Sequence, residues 1–307
     1  MYVEVLDPGM HEVADPEPPL VEIVRGLMFG EGPVWDQRNK WLYYVDIIGD
    51  KVMKWVPGVG SQPVLVPSGH LNGMTLDNEN RLIIAGWSSR NIWRLELDGS
   101  LVSLASHFEG KKLSTPNDIC IKSDGSIYWT EMQNGLLIPG MEGHDVQRYL
   151  DWQGVIRLGT DGSMKALAKD FAGSNGLCFS PDEKRMYVND TPRAHIRVFD
   201  VLPDGTFGEG RIFYTLIGHE TGHADGMKVD VKGNVYCTGP AGIHVIAPDG
   251  TLLGRLHIPG TGTGCTNMAW GDDDWRTLYV TTRNSVFRTR LKIPGIPVGP
   301  AAQGAAR

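Results

Sequence analysis

Six residues with a side-chain oxygen recur at equivalent places in the 307-residue sequence. Each stands four positions before the last apolar residue of a short apolar run. They are Glu31, Asn72, Asn117, Asn175, Asp225 and Thr266. Carboxylate and amide oxygens suit a hard cation, Ca²⁺ first, then Mg²⁺ or Mn²⁺, with Zn²⁺ less favoured. The pattern therefore predicts a divalent-cation site, provided that the fold brings the six positions together.

A simpler interpretation is that Asn and Asp before Gly are turn residues where a strand begins. This accounts for a single pair such as Asn72-Gly73, but it does not explain a glutamate at the same place in the first repeat, at Glu31. We therefore favour a shared ring of oxygen ligands, in which Glu31 and Asp225 supply two negative charges.

The segments around these residues repeat as strand, polar turn, strand. The apolar residues just before each turn are 41 to 58 positions apart: Trp35, Leu76, Ile121, Phe179, Val229 and Trp270. Such periods are typical of four-stranded propeller blades. Further strand pairs around an Asp-Gly turn, as in NIWRLELDGSL, GVIRLGTDGSM and GIHVIAPDGTLLG, would complete the blades. The sequence predicts an all-β, six-bladed β-propeller with the oxygen-bearing residues at its central channel.

We expect one domain over residues 15–295, because no linker composition interrupts it. Residues 1–14 would be an N-terminal extension and residues 296–307 a flexible C-terminal tail. A strand near 21–25 would avoid an exposed sheet edge if it closed the last blade, but the sequence leaves this pairing open.

Composition limits the partners. The 29 basic and 36 acidic residues give a net charge of −7 and are interspersed, which argues against nucleic acid and anionic membranes. No signal peptide or membrane-spanning run is found, so we expect a cytoplasmic protein. Four widely spaced cysteines are expected to be buried free thiols. The oligomeric state is not predicted.

The segment His219–His223 matches HExxH, which binds zinc when a helix places both histidines on one face. Gly218 and Gly222 argue against a helix, so a zinc peptidase is disfavoured, and His223 is kept as a candidate substrate contact. No GxSxG, GxGxxG or GxxxxGK[ST] motif supports a serine nucleophile or a nucleotide cofactor.

The segments FGEGPVWD, STPNDICIKSDGSIYWTE, SNGLCFSPDEKRMYVNDT and HADGMKVDVKGNVYCTGPAGIHVIAPDGTLLG resemble the SMP-30/gluconolactonase (regucalcin-like) family over residues 20–295. The resemblance implies a six-bladed propeller with calcium or another divalent ion in its channel and hydrolysis of a small sugar lactone. It places metal ligands at Glu31, Asn175 and Asp225, and a substrate-facing amide at Asn117.

Two departures bear on the substrate. Thr115 stands where regucalcin-like members carry an arginine, as is typical of the bacterial gluconolactonase branch, and Glu131-Met132 replaces an Asp-Pro pair common there. We include Thr115 and Glu131 among the candidate substrate contacts, with Asn72 and Asp190 as further candidates for the pocket wall.

As a mechanistic hypothesis, Asp225 is the general base that takes a proton from the attacking water. Three alternatives remain: a metal-dependent esterase or organophosphatase on the same scaffold, a calcium-binding propeller without catalysis, and the disfavoured zinc peptidase. The insertion over residues 132–152 is interpreted either as a lid or as a tolerated surface loop.

Overall fold

The computed structural model describes residues 1–258 and 264–303. Six antiparallel sheets form the blades of a propeller, which confirms the predicted fold. From the innermost strand outwards, blade 1 comprises Gly30–Asp36, Trp41–Asp46, Lys51–Val56 and Gly60–Leu65; blade 2 comprises Met74–Leu76, Leu82–Gly86, Asn91–Leu95 and Leu101–Ala105; and blade 3 comprises Thr115–Ile121, Ile127–Met132, Gly154–Leu158 and Met164–Ala168.

The other three blades follow the same order. Blade 4 comprises Ser174–Phe179, Arg185–Asp190, His195–Asp200 and Arg211–Thr215; blade 5 comprises Met227–Val229, Val235–Gly239, Gly242–Ile246, Leu252–His257 and, outermost, Tyr2–Val5; and blade 6 comprises Cys265–Gly271, Thr277–Thr282, Ser285–Arg290 and Leu20–Arg25. The remaining elements are a small hairpin of His107–Phe108 and Lys111–Lys112, a short helix Met10–Val13, and 3₁₀ turns at Asn134–Leu136 and Gly299–Gln303.

The Asp-Gly turns have the predicted chemistry. Between the two outer strands of blade 2, Asp98 Oδ1 accepts the amide of Ser100 at 2.9 Å, and Gly99 takes a positive φ of 87°. Only glycine adopts this backbone conformation without strain, so the residue types specify the turn.

The N-terminal strand Leu20–Arg25 closes the propeller. It pairs with Ser285–Arg290, the third strand of blade 6, so the first blade of the chain is held to the last. Aromatic pairs join the same region, since Trp35 of blade 1 stacks on Tyr279 of blade 6 with ring centroids 5.4 Å apart. The sequence left the pairing of this strand open, and the structure shows that it completes the last blade.

The N-terminal segment and the last described residues pack on the propeller. Met10 and Val13 are fully buried in the core that includes blades 5 and 6. Residues 296–302, which the sequence analysis places at the start of a flexible tail, pack against the channel: Ile296 donates its amide to the carbonyl of Val229, and residues 296–299 line a cavity of about 130 Å³ at one end of the channel. Residues 304–307 lie outside the described residues.

Two smaller predictions are also answered. All four cysteines are free, with Cys178, Cys237 and Cys265 buried and Cys120 partly exposed. No helix forms over the HExxH match, so its zinc-binding geometry is absent. Within the described residues, none of the helices has the length and apolar character needed to cross a membrane.

Candidate functional site

The six oxygen-bearing residues form a ring around the channel, which we call the first ring. Backbone hydrogen bonds join neighbouring blades at this level, because the glycine after one ring residue donates its amide to the carbonyl of the next. These bonds run from Gly73 to Asn117 at 2.9 Å, from Gly176 to Asp225 at 3.0 Å, and from Gly226 to Thr266 at 2.7 Å. The Thr266 hydroxyl then donates to the carbonyl of Gly30 at 2.6 Å and connects the last blade to the first.

Glu31 is buried at the entry of the innermost strand of blade 1, with 3% of its surface exposed. Its Oε2 accepts hydrogen bonds from the amide of Gly32 at 2.6 Å and from Asn267 Nδ2 at 2.9 Å. Burial, together with repulsion by Asp118, raises the pKa of the Glu31 carboxyl to about 7. The site therefore holds this carboxylate at an energetic cost.

Asp225 is the second carboxylate of the ring. Its backbone is held in place because Asn189 Nδ2 donates to its carbonyl at 2.5 Å and its amide donates to Thr238 Oγ1 at 2.9 Å. Burial raises the pKa of the Asp225 carboxyl well above its ordinary value, and repulsion by Glu31 raises it further. The two carboxylates thus lie close enough to destabilise each other's charge, and a cation between them would remove that repulsion.

Two amide oxygens beside these carboxylates have no hydrogen-bond partner. Oδ1 of Asn72 and Oδ1 of Asn175 are both fully buried and unpaired, whereas Asn175 Nδ2 donates to Thr191 Oγ1 at 3.1 Å. Buried oxygens without partners are rare in folded proteins and call for an explanation. Carboxylates in mutual repulsion and unpaired amide oxygens together fit the coordination of a hard divalent cation.

Across residues 1–258 and 264–303, no cluster of three or more His, Cys, Asp or Glu side chains is arranged to hold a metal. The first ring differs from such clusters because it has only two carboxylates, and its other side-chain oxygens belong to three asparagines and one threonine. This composition agrees with the predicted preference for an oxygen-coordinated ion over zinc.

Asn117 lies in the ring as expected and is 5% exposed. Its Nδ2 approaches Sδ of Met132 at 2.8 Å, and a thioether is a weak acceptor. The amide can therefore exchange this partner for a substrate oxygen at little cost.

Two of the predicted substrate contacts, Thr115 and Glu131, have hydrogen-bond partners inside the protein. Thr115 is fully buried and its hydroxyl donates to the carbonyl of Met132 at 2.9 Å. Glu131 is fully buried, and its two oxygens accept the amide of Ser114 and Trp129 Nε1. The polar atoms of these two side chains therefore have protein partners within blade 3, and their contact with substrate stays a prediction.

Asp190 likewise stabilises a turn of blade 4. Its Oδ2 accepts the amide of Ala172 at 2.8 Å and Nη1 of Arg193 at 3.1 Å, with the side chain fully buried. His223 is exposed, and its carbonyl accepts the Thr238 hydroxyl at 3.0 Å. Of these two side chains, only that of His223 can be reached by solvent or a ligand.

The insertion over residues 132–152 is anchored to blade 2. Arg90 Nη1 donates to the carbonyl of Asp145 at 3.0 Å, and the hydroxyl of Ser88 donates to the carbonyl of Met141. Leu136, Met141 and Leu150 are buried. The insertion is thus packed against the propeller, and its first residue, Met132, contacts Asn117.

Sequence reasoning missed three polar residues next to the ring: Asp118, Asn267 and Lys228. Asn267 contacts Glu31 directly, and Lys228 Nζ lies 3.6 Å from Asp118 Oδ2 and 3.4 Å from Asn267 Oδ1. A signal was available in the repeat, because the position after the ring residue is glycine in four blades and is Asp118 or Asn267 in the other two.

A six-bladed propeller with a ring of carboxylate and amide oxygens at its axis defines the class of this protein. Residues 29–284 match the sequence model of the SMP-30/gluconolactonase/LRE-like region, so the chain belongs to this family. It is 27% identical to a gluconolactonase of Zymomonas mobilis, with 94% of this chain and 85% of the relative covered. It is also 27% identical to a 6-deoxy-6-sulfogluconolactonase of Pseudomonas putida, covering 87% of this chain and 93% of the relative.

Solved structures agree with this assignment. A gluconolactonase from Xanthomonas campestris superposes with a TM-score of 0.87 at 28% identity, covering 95% of each chain.

Proposed function

We propose that this protein is a divalent-cation-dependent lactonase that opens a small sugar lactone, with Ca²⁺ as the best-suited ion. The observation that carries the proposal is the first ring, where Glu31 and Asp225 repel each other beside two unpaired amide oxygens. The lactonase names of relatives that span most of the chain support the substrate class.

In this proposal Glu31, Asn175 and Asp225 hold the cation. A bound divalent cation supplies a Lewis acid for the lactone carbonyl oxygen. The chain's own contribution is a rigid donor set, because Gly32 and Asn267 fix Oε2 of Glu31 while Asn189 and Thr238 fix the backbone of Asp225.

Asp225 acts as the general base. Its carboxylate accepts a proton from water as the water oxygen bonds to the carbonyl carbon. The ring carbon–oxygen bond then breaks, and the ring oxygen leaves as a hydroxyl group by taking the proton that Asp225 had accepted. The product is an open hydroxy acid. Asp225 lies at the ring and is partly exposed as a residue, which favours access of this water.

Asn117 and Asn72 orient the substrate. Asn117 Nδ2 would donate to a substrate oxygen in place of Met132 Sδ, and the unpaired Oδ1 of Asn72 would accept a sugar hydroxyl. His223, exposed two residues before Asp225, is proposed as a contact at the mouth of the channel.

The test is hydrolysis of glucono-1,5-lactone, its 6-sulfo analogue and a panel of pentonolactones by chelator-treated protein, before and after addition of Ca²⁺, Zn²⁺, Mn²⁺ or Mg²⁺. Activity that disappears with the metal and returns with it supports the proposal and ranks the ions. An aryl ester and an organophosphate belong in the same panel, since turnover of these alone would assign another hydrolase. Metal binding without turnover of any compound would indicate a binding protein.

A further inference from the structure

Below the first ring the channel contains two further layers. The second ring, one residue further along each innermost strand, comprises Gly32, Gly73, Asp118, Gly176, Gly226 and Asn267. The third ring, two residues beyond that, comprises Val34, Thr75, Cys120, Cys178, Lys228 and Ala269, and all six line the cavity at the far end of the channel.

The glycines of the second ring make room for its two polar members. A Cβ on Gly73 would lie 2.8 Å from Asp118 Oδ1, and a Cβ on Gly226 would lie 2.1 Å from Asn267 Oδ1. Real Cβ atoms do not approach so closely. The side chains of Asp118 and Asn267 therefore occupy space that neighbouring blades leave open, directly below the first ring.

Lys228 reaches these two side chains from the third ring. Its Nζ lies 3.6 Å from Asp118 Oδ2 and 3.4 Å from Asn267 Oδ1, and donates to the carbonyl of Met227 at 2.9 Å. Asp118 is 2% exposed, and its Oδ2 has no hydrogen-bond partner. The ammonium of Lys228 is thus the positive charge nearest to Asp118, whose carboxylate is buried and has no hydrogen bond at Oδ2.

The same lysine helps to orient Glu31 through Asn267. Asn267 Oδ1 accepts the amide of Met268 at 2.8 Å and faces Lys228, so its Nδ2 is directed to Glu31 Oε2. Both layers also act on the first ring electrostatically. Repulsion by Asp118 raises the pKa of Glu31 and of Asp225, and attraction to Lys228 lowers that of Glu31.

The charges of the three rings balance a divalent ion. When the carboxyls of Glu31, Asp118 and Asp225 are all ionised, as they would be around a bound cation, the ammonium of Lys228 leaves the rings with two net negative charges. Without Lys228 they would carry three.

We propose that Lys228 is a positioning residue whose ammonium, placed between Asp118 and Asn267, sets the channel charge to match a divalent cation and keeps the loaded site neutral. This inference rests on the proposed function. A neutral loaded site matters because a surplus negative charge would repel the negative charge that develops on the lactone carbonyl oxygen. Lys228 would therefore weaken cation binding somewhat and increase turnover.

The experiment compares wild type with Lys228→Met, Asp118→Asn and the double variant, using chelator-treated full-length protein. Calorimetric titration with Ca²⁺ and with Tb³⁺ gives the dissociation constants, and lactone hydrolysis gives kcat and KM. Lys232→Met is the matched control, since Lys232 is exposed outside the channel and pairs with Glu12.

Lys228→Met is expected to bind Ca²⁺ about tenfold more tightly, with a larger gain for Tb³⁺ and a kcat about tenfold lower, as one unit charge at this range predicts. Asp118→Asn is expected to bind Ca²⁺ about tenfold more weakly, and the double variant to return close to wild type. A merely structural lysine would not produce tighter binding.

Unchanged Ca²⁺ affinity in Lys228→Met, or weaker binding in both single variants without recovery in the double, would overturn the proposal. If Lys228→Met does not fold, Asp118→Asn decides through the ratio of its Tb³⁺ and Ca²⁺ affinities, which should fall below that of wild type. The dissociation constants do not depend on turnover. A protein that hydrolyses no lactone would therefore refute the proposed function, while the Ca²⁺ and Tb³⁺ affinities of the variants would still decide this inference.

Discussion

Replacement of Glu31 by glutamine should stabilise the metal-free protein at alkaline pH. Both hydrogen bonds to the Glu31 side chain reach the same oxygen, Oε2. A glutamine with its oxygen at that position keeps both bonds and loses only the charge. The substitution thus removes the cost of burying this carboxylate near Asp118.

The magnitude follows from the pKa of Glu31. Folding raises it from its ordinary value of 4.5 to about 7, so the folded protein binds this proton more tightly than the unfolded chain. Stability therefore falls as the pH rises from about 4.5 through about 7, and the loss is complete above that range. The difference amounts to about 3 kcal/mol, or roughly 5 °C in Tm for a protein of this size.

Thermal unfolding of chelator-treated protein at pH 5 and pH 8 measures this effect. We expect Glu31→Gln and wild type to melt together at pH 5 and the variant to melt roughly 5 °C higher at pH 8. Saturating Ca²⁺ should reverse the order, because the variant loses a ligand. Glu17→Gln, at an exposed position, is the control and should not change the pH dependence. Equal melting of Glu31→Gln and wild type at pH 8 would refute the assignment of a buried, destabilised carboxylate.

The remaining predictions concern the base, the core and blade 3. Asp225→Asn should lower kcat by at least about a hundredfold in a lactone assay with metal present, because the general base is removed; full turnover with metal bound would exclude that role. Met10→Ala should lower the free energy of unfolding by about 2–5 kcal/mol, since Met10 is fully buried, whereas exposed Met28→Ala should have little effect. Glu131→Ala should lower the Tm and leave KM for the lactone unchanged, because Ser114 and Trp129 lose their acceptor. A raised KM at unchanged Tm would show that Glu131 contacts the substrate.

Much of the fold was predictable because each blade is a local unit. A hairpin with its Asp-Gly turn is determined by residues close together in the chain, and six repeats make the count of blades reliable. The first ring was predictable for the same reason, since equivalent positions in equivalent blades must meet at the axis. Contacts of the segments near the chain ends were harder to foresee, because residues 296–302 pack on the ends of innermost strands far away in sequence.

By itself, the sequence determined the repeat, the six-bladed architecture and the oxygen-bearing residues of the ring, because these depend on patterns within each blade. Only the tertiary structure decided which polar residues face the channel. Glu131 and Asp190 carry carboxylates close to the site in sequence, but their oxygens are bound by protein donors in blades 3 and 4. Lys228 and Asp118 come from different blades and meet in space that glycines of neighbouring blades leave open, a relation that no single repeat contains.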